Sequence, residues 1–184
     1  MNKWAKFGAI TGIATLLGIA TFENSTIFSG TYNVSAASKE SKAVKKAKAK
    51  AKAKRQFVNE KIDKELKEEQ GTANGTIDED GNPVDNGTPN PDFDWTNFVY
   101  KITYTSDGEL KLIVTPDFNG LSKSDKTQLA RNAQNLAFTI LGDNYKKWAD
   151  SYDRPYMYIF DSPKKNAFPI GHSKAVYTNK FSFN

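Results

Sequence analysis

Hydrophobic residues are arranged in four different ways along this chain. Residues 7–22 form a continuous, mostly apolar run without charge, and residues 39–70 carry apolar positions three and four apart. Residues 71–94 show no hydrophobic periodicity, whereas apolar and polar residues alternate from Phe98 onwards. A spacing of three or four is the period of a helix face, and alternation is the period of a strand. The pattern therefore predicts an apolar leader, a helix, a linker and a folded domain, in that order.

The predicted helix, assigned to residues 37–70, is dominated by lysine and alanine. Its apolar stripe is weak and is interrupted by Arg55. The stripe comprises Val44, Ala47, Ala51, Val58, Ile62 and Leu66. Alternating Ala and Lys at 3.6 residues per turn scatters the lysines around the whole cylinder. We expect a long, isolated helix without a broad apolar face.

The predicted linker, residues 71–94, contains six acidic residues and no basic one. Pro83, Pro89 and Pro91 oppose regular structure, and the like charges repel one another. We expect an extended segment between the helix and the domain.

The predicted domain, residues 95–184, holds most of the aromatic residues. Its predicted strands lie at 98–105, 110–114, 156–160 and 168–172, with Asp107-Gly108 as a hairpin turn between the first two. A helix capped by Ser122, with Asp125 three residues later, lies between the second and third strands. This ββαββ order predicts an α+β fold, with a small antiparallel sheet and one helix packed on a face. Residues 175–184 are a further candidate for an edge strand.

The beginning of the chain has the pattern of an export signal. Lys3 and Lys6 precede the apolar run, and the small residues Val34 to Ala36 suit a cleavage site before Ala37. We therefore assign residues 1–36 to a signal peptide of Gram-positive style and expect a secreted or envelope-associated protein. The alternative is an uncleaved N-terminal membrane anchor, although the run is shorter than the roughly 20 residues that span a bilayer. The chain has no cysteine, which excludes disulfides and lipid attachment to a cysteine.

Charge is distributed unevenly, with twelve basic and six acidic residues between Ser38 and Gln70. Clustered lysines bind polyanions through counterion release and need no sequence recognition. The candidate polyanion-binding residues are Lys42, Lys45, Lys46, Lys48, Lys50, Lys52, Lys54 and Arg55. Because the chain is expected to be exported, the predicted partner is an anionic cell-wall polymer or an anionic membrane surface, and nucleic acid is not expected.

An aromatic cluster in the domain is a candidate partner surface, because exposed rings beside arginine are typical of recognition sites. It comprises Tyr152, Arg154, Tyr156, Tyr158 and Phe160. Tyr156, Tyr158 and Phe160 share one face of a strand. In so small a domain the favoured interpretation is that this face is the core beneath the helix. An uncovered second face of the sheet would instead make an aromatic row a binding surface.

Catalytic chemistry is poorly supported. His172 is the single histidine, and its neighbour Ser173 points to the opposite face of the predicted strand, so a triad with Asp161 is not expected. No metal or cofactor site is predicted either. Four aspartates, Asp143, Asp150, Asp153 and Asp161, are candidates for a pair of hydrolytic carboxylates. Turn and helix-end residues on a solvated surface are the favoured interpretation of these four.

These observations favour a secreted, non-enzymatic binding protein. In this hypothesis the basic helix retains the chain on an anionic surface polymer, and the C-terminal domain contacts a partner, for which another protein is the candidate. One alternative is a small wall-polymer hydrolase that uses carboxylates within residues 143–161. Another is a secreted inhibitor or competition factor that docks through an open sheet edge.

Overall fold

In the computed structural model, the described residues are 41–78, 80–164 and 166–184. The predicted signal peptide and its cleavage site lie outside them. The helices are α1 (Lys42–Ala73), α2 (Lys123–Asn144) and the one-turn α3 (Lys146–Ala149). The strands are β1 (Val99–Tyr104), β2 (Leu110–Val114), β3 (Met157–Phe160), β4 (Gly171–Ser173) and β5 (Phe181–Phe183). Short 3-10 helices occupy Pro91–Phe98 and Pro116–Gly120. The predicted α+β class is confirmed.

The five strands form one mixed sheet in the order β1-β2-β3-β4-β5. Strands β2 and β3 are parallel, and the other neighbouring pairs are antiparallel. The prediction of a purely antiparallel sheet is therefore wrong. The physical reason is α2, which carries the chain back along the sheet, because a helical crossover joins parallel strands. The candidate edge strand within residues 175–184 is present as β5, and α3 is an addition to the predicted ββαββ order.

A β-bulge in β1 changes which side chains face the core. Val99 pairs with Val114 and Lys101 pairs with Ile113, so Tyr100 is the extra residue. Val99, Ile102 and Tyr104 are buried, whereas Tyr100 is 61% exposed. Strict alternation from Phe98 would have placed Tyr100 on the buried face, and the bulge explains why it does not lie there.

Helix α1 is not isolated, so that part of the fold prediction is wrong. Val58, Ile62 and Leu66 are almost completely buried and belong to the same core cluster as β1, β2, β3 and α2. These residues are four apart and therefore lie on one side of the helix. The C-terminal half of α1 thus covers the sheet beside α2, while residues 41–54 are exposed.

Two side-chain amides fix α1 to the edge of the sheet at β1. The Asn59 Nδ2 atom donates to the Tyr104 carbonyl at 3.0 Å, and the Tyr104 N–H donates to Asn59 Oδ1 at 2.7 Å. Farther along the helix, Gln70 Nε2 donates to the carbonyls of Thr96 and Val99 at 3.0 and 2.9 Å. The bonds to Tyr104 and Val99 satisfy backbone groups that the edge strand β1 would otherwise leave unpaired.

The segment predicted as an extended linker folds back against the end of α1, so the extended form is also wrong. The N–H groups of Thr76, Val84 and Asn90 donate to the carbonyls of Gly71, Thr76 and Thr72, respectively. Gly75 (φ +65°) adopts a left-handed conformation, and a Cβ atom there would lie 2.4 Å from the Gly87 oxygen. Glycine at this position permits the close approach of two backbone segments. Repulsion between the acidic residues of this segment would oppose such an approach.

Helix α2 begins as predicted at Ser122, whose hydroxyl accepts a hydrogen bond from the Asp125 N–H at 3.2 Å. Its buried side chains are Leu129, Ala130, Ala133, Gln134, Leu136, Ala137 and Leu141. The apolar ones belong to the same core cluster as Leu112 and Ile159 of the sheet. Within the described parts of the chain, no helix combines the length and apolar character needed to cross a membrane.

Candidate binding surfaces

The exposed half of α1 carries the predicted polyanion-binding residues. Seven of the eight are exposed, and Arg55 is half-buried where the helix meets the domain. The sequence contains no acidic residue from Lys42 to Asn59. Within the core-facing half, by contrast, Lys64 pairs with Glu68 and Lys67 with Asp63 at 2.9 and 2.8 Å. The first half of α1 therefore carries a net positive charge along its length, at a rise of about 1.5 Å per residue.

The second surface is the face of the sheet turned away from α1 and α2. Neighbouring strands place one residue each in a continuous row across this face, because the side chains at paired positions lie on the same side. The row consists of Thr103, Lys111, Tyr158, His172 and Ser182. All five are half-buried, whereas Met157 and Ile159, which flank Tyr158 in the chain, are fully buried on the other face.

Aromatic rings form a column along β3 on this face. The ring centroids of Tyr156 and Tyr158 are 5.0 Å apart, and those of Tyr158 and Phe160 are 6.5 Å apart. The Lys111 Nζ atom lies 4.5 Å from the centroid of the Phe160 ring, within the range of a cation–π contact. The favoured interpretation of the sequence placed these rings under the helix, and it is wrong. Helices α1 and α2 cover Met157 and Ile159 instead.

His172 extends the aromatic surface onto β4. Its ring stacks on Tyr156 with an interplanar angle of 15° and a centroid distance of 6.2 Å. The Tyr156 hydroxyl and the Ser173 carbonyl each lie 2.8 Å from His172 Nδ1. Burial raises the pKa of the Tyr156 hydroxyl, and the nearby Tyr158 and Glu109 raise it further. We use the name ring face for Lys111, Tyr156, Tyr158, Phe160 and His172.

The other two residues of the predicted partner surface lie elsewhere. Tyr152 is fully exposed in the loop before β3. The Arg154 Nε atom donates to Asn135 on α2 at 2.8 Å, and its guanidinium lies 5.4 Å from the Phe138 ring. Arg154 therefore contacts α2 rather than the ring face, so the structure does not bring the five predicted residues together.

The candidate catalytic groups are also separated. The Ser173 hydroxyl is buried and accepts a hydrogen bond from the Met157 N–H at 3.0 Å, so it is on the opposite face from the His172 ring. Asp143, Asp150, Asp153 and Asp161 are all exposed. Asp143 lines a cleft of about 300 Å³ beside Trp148, and none of the other three lines it. No paired carboxylate site is formed there.

An acidic cavity lies where the folded-back segment meets the end of α1. Glu65, Glu68, Glu69, Asp78 and Asp80 line a space of about 670 Å³. Burial raises the pKa of Glu69 from 4.5 to about 7, and the charge of Glu65 adds to this effect. Among the described residues, no group of three His, Cys, Asp or Glu side chains is arranged to hold a metal ion.

Sequence reasoning missed the parts of the ring face that come from other strands. Lys111 and His172 lie beside Tyr158 because of the register of β2 and β4 with β3, which depends on long-range strand pairing. The alternation of Leu110, Lys111 and Leu112 was the available signal, since it places Lys111 on the face opposite two core leucines. Compared with known proteins, the chain matches no family model, no curated protein and no solved structure.

Proposed function

We propose that this chain is a secreted or envelope-associated, non-enzymatic binding protein. The basic half of α1 retains it on an anionic cell-surface polymer, and the ring face contacts a partner. The observation that carries the proposal is the exposed helical segment from Lys42 to Lys54, in which lysines are present and acids are absent. Such a segment gains affinity for a polyanion by releasing its counterions.

The distribution of the lysines favours a polymer over a flat surface. At 100° per residue, Lys42, Lys45, Lys48 and Lys50 point in widely different directions around the helix axis. A planar membrane could meet only those on one side at a time, whereas a flexible chain can follow all of them. An anionic wall polymer is therefore the proposed partner of this segment.

The ring face supports the second half of the proposal. It combines aromatic rings, a cation and a histidine on one side of a rigid sheet, and aromatic residues are enriched at protein–protein contacts. The four exposed aspartates do not supply the desolvated carboxyl group that a hydrolase using residues 143–161 would need.

Retention on purified anionic wall material over a salt series tests the proposal. The triple variant Lys45→Gln/Lys46→Gln/Lys52→Gln removes three exposed charges from α1, and Lys123→Gln/Lys164→Gln/Lys174→Gln removes three from the domain surface. The salt series measures the slope of log K against the logarithm of the salt concentration. We expect the first variant to reduce the magnitude of this slope by about two to three and the second to change it much less. Equal effects of the two variants, or retention that ignores salt, would contradict electrostatic retention by α1.

Export is tested by the N-terminal sequence of the chain recovered outside the cell. We expect it to begin at Ala37, because Val34 to Ala36 suit a signal peptidase. Recovery of the uncleaved chain with the membrane would instead support the N-terminal anchor.

A further inference from the structure

A cleft of about 430 Å³ lies where the basic half of α1 passes the β1–β2 hairpin and the end of α2. Among the residues that line it are Lys50, Lys54, Arg55, Tyr104, Ser106 and Tyr145. The α1 residues of this wall lie on the same side of the helix as buried Val58, because they precede it by three, four, seven, eight and eleven residues. The cleft thus begins where the apolar stripe of α1 leaves the core.

The two aromatic rings of the cleft are held in place by the core. The Tyr104 and Tyr145 centroids are 5.4 Å apart, with an interplanar angle of 56°. The buried Trp148 Nε1–H donates to the Tyr104 hydroxyl at 3.1 Å. Burial raises the pKa of the Tyr145 hydroxyl, Tyr104 raises it further and Arg55 opposes the shift, so this hydroxyl is neutral at physiological pH. The two rings together form an aromatic wall of the cleft.

Positive charge converges on this wall. The Lys54 Nζ atom lies 4.6 Å from the Tyr145 ring centroid. Lys147 lies beside the hairpin turn, where a Cβ atom placed on Gly108 would be 3.8 Å from its Nζ atom. None of the described residues that line the cleft is acidic. Asp107, the neighbouring acid on the hairpin, is exposed, and its Oδ1 atom accepts a hydrogen bond from the Ser106 hydroxyl at 3.5 Å.

We propose that this cleft binds a phosphate or phosphodiester group carried on a sugar or polyol unit. An arginine fork and lysine ammonium groups are the usual ligands of phosphate oxygens. Tyrosine rings and a serine hydroxyl suit the C–H and O–H groups of a polyol. The volume is within the range of small-ligand sites. This proposal rests on the proposed function, because it identifies the anionic polymer as one built from such units.

Titration of the full chain with glycerol 1-phosphate, followed by NMR, tests the cleft. Glycerol is the uncharged control, and inorganic phosphate is the control without a polyol. We expect saturable shifts at Tyr104, Ser106 and Tyr145, with glycerol 1-phosphate binding more tightly than phosphate and glycerol not binding. Shifts that do not saturate, or that are spread over all lysines of α1, would overturn the proposal.

Two triple variants with equal charge separate the cleft from general electrostatics. Lys50→Gln/Lys54→Gln/Arg55→Gln should weaken glycerol 1-phosphate binding about tenfold or more, because charge-assisted hydrogen bonds are lost. Lys123→Gln/Lys164→Gln/Lys174→Gln should leave it within about twofold, since those exposed residues do not line the cleft. Equal weakening by both would overturn the proposal.

The same variants distinguish failure of the cleft from failure of the proposed function. If the full chain is retained on wall material in a salt-dependent way but glycerol 1-phosphate does not bind, the cleft is refuted and electrostatic retention stands. If glycerol 1-phosphate binds in the cleft but the chain is not retained, retention is refuted. Vesicles of phosphatidylglycerol test whether the phosphodiester group that binds belongs to a lipid. Sedimentation with vesicles, lost only in the cleft variant, would assign the site to a lipid headgroup.

Discussion

The substitution Ile62→Ala tests whether α1 is an integral part of the fold. Ile62 is fully buried between α1 and the sheet, whereas Val44, on the same helix, is 43% exposed. Truncating a buried isoleucine to alanine costs about 2–5 kcal/mol, because transfer energy is lost and a cavity remains. A surface substitution such as Val44→Ala changes the free energy of unfolding by less than about 0.5 kcal/mol.

Urea denaturation followed by tryptophan fluorescence measures this difference, because buried Trp148 belongs to the same core cluster as Ile62. With an m-value of about 2 kcal/mol/M, a loss of about 3 kcal/mol lowers the midpoint by about 1.5 M. Ile62→Val should have an intermediate effect, of about 0.5–1.5 kcal/mol. If Ile62→Ala and Val44→Ala gave the same midpoint, the packing of α1 on the sheet would be refuted.

Three further predictions concern single contacts. Asn59→Ala should lower the free energy of unfolding by about 1–3 kcal/mol, because it leaves the Tyr104 N–H and carbonyl unpaired, and urea denaturation against wild type measures it. In the same assay, Gly75→Ala should lower the free energy of unfolding more than Gly81→Ala does. Both glycines have a positive φ, but only a Cβ atom on Gly75 would meet another backbone segment. Equal losses would contradict this contact. Because burial raises the pKa of Glu69 to about 7 in the folded state, the contribution of this group to stability should be greatest below about pH 4.5 and should be lost as the pH rises through about 7. After allowance for solvent screening of a half-buried carboxyl group, we expect this loss to be about 1 kcal/mol relative to Glu69→Gln. A urea series over this pH range in which Glu69→Gln keeps the wild-type slope would refute it.

Local patterns in the sequence predicted most of the secondary structure. The 3.6-residue spacing located α2 and its Ser122 cap, and alternation located β1, β2 and β3. The errors arose where long-range packing decides the outcome. The stripe of Val58, Ile62 and Leu66 was visible, but the polar composition of α1 as a whole concealed that three buried side chains are enough to dock it.

The two candidate surfaces also differ in how far local sequence patterns predict them. The basic half of α1 needs no tertiary information, because exposure follows from its composition. The ring face depends on which side of β3 the helices cover, and the sequence offers two equivalent choices: Tyr156, Tyr158 and Phe160, or Met157 and Ile159. Large aromatic residues suggested the core, yet the smaller apolar pair packs under the helices.

The basic half of α1 lowers the stability of the helix, and the half docked on the sheet raises it. Because the two halves form one continuous helix, binding of a polymer to the basic half acts on the folded domain. Lysines near a helix N-terminus oppose the macrodipole, each at about 0.3–1 kcal/mol when exposed. Three buried side chains in the other half contribute about 1.5–3 kcal/mol each and hold the helix on the domain. A helix of about thirteen residues would be marginal by itself, so the basic half depends on the docked half for nucleation. A polyanion bound to the lysines would neutralise their mutual repulsion and stabilise the helical segment that it contacts. Because that segment continues without a break into the core, the polymer would hold the domain through a helix rather than through a flexible tether.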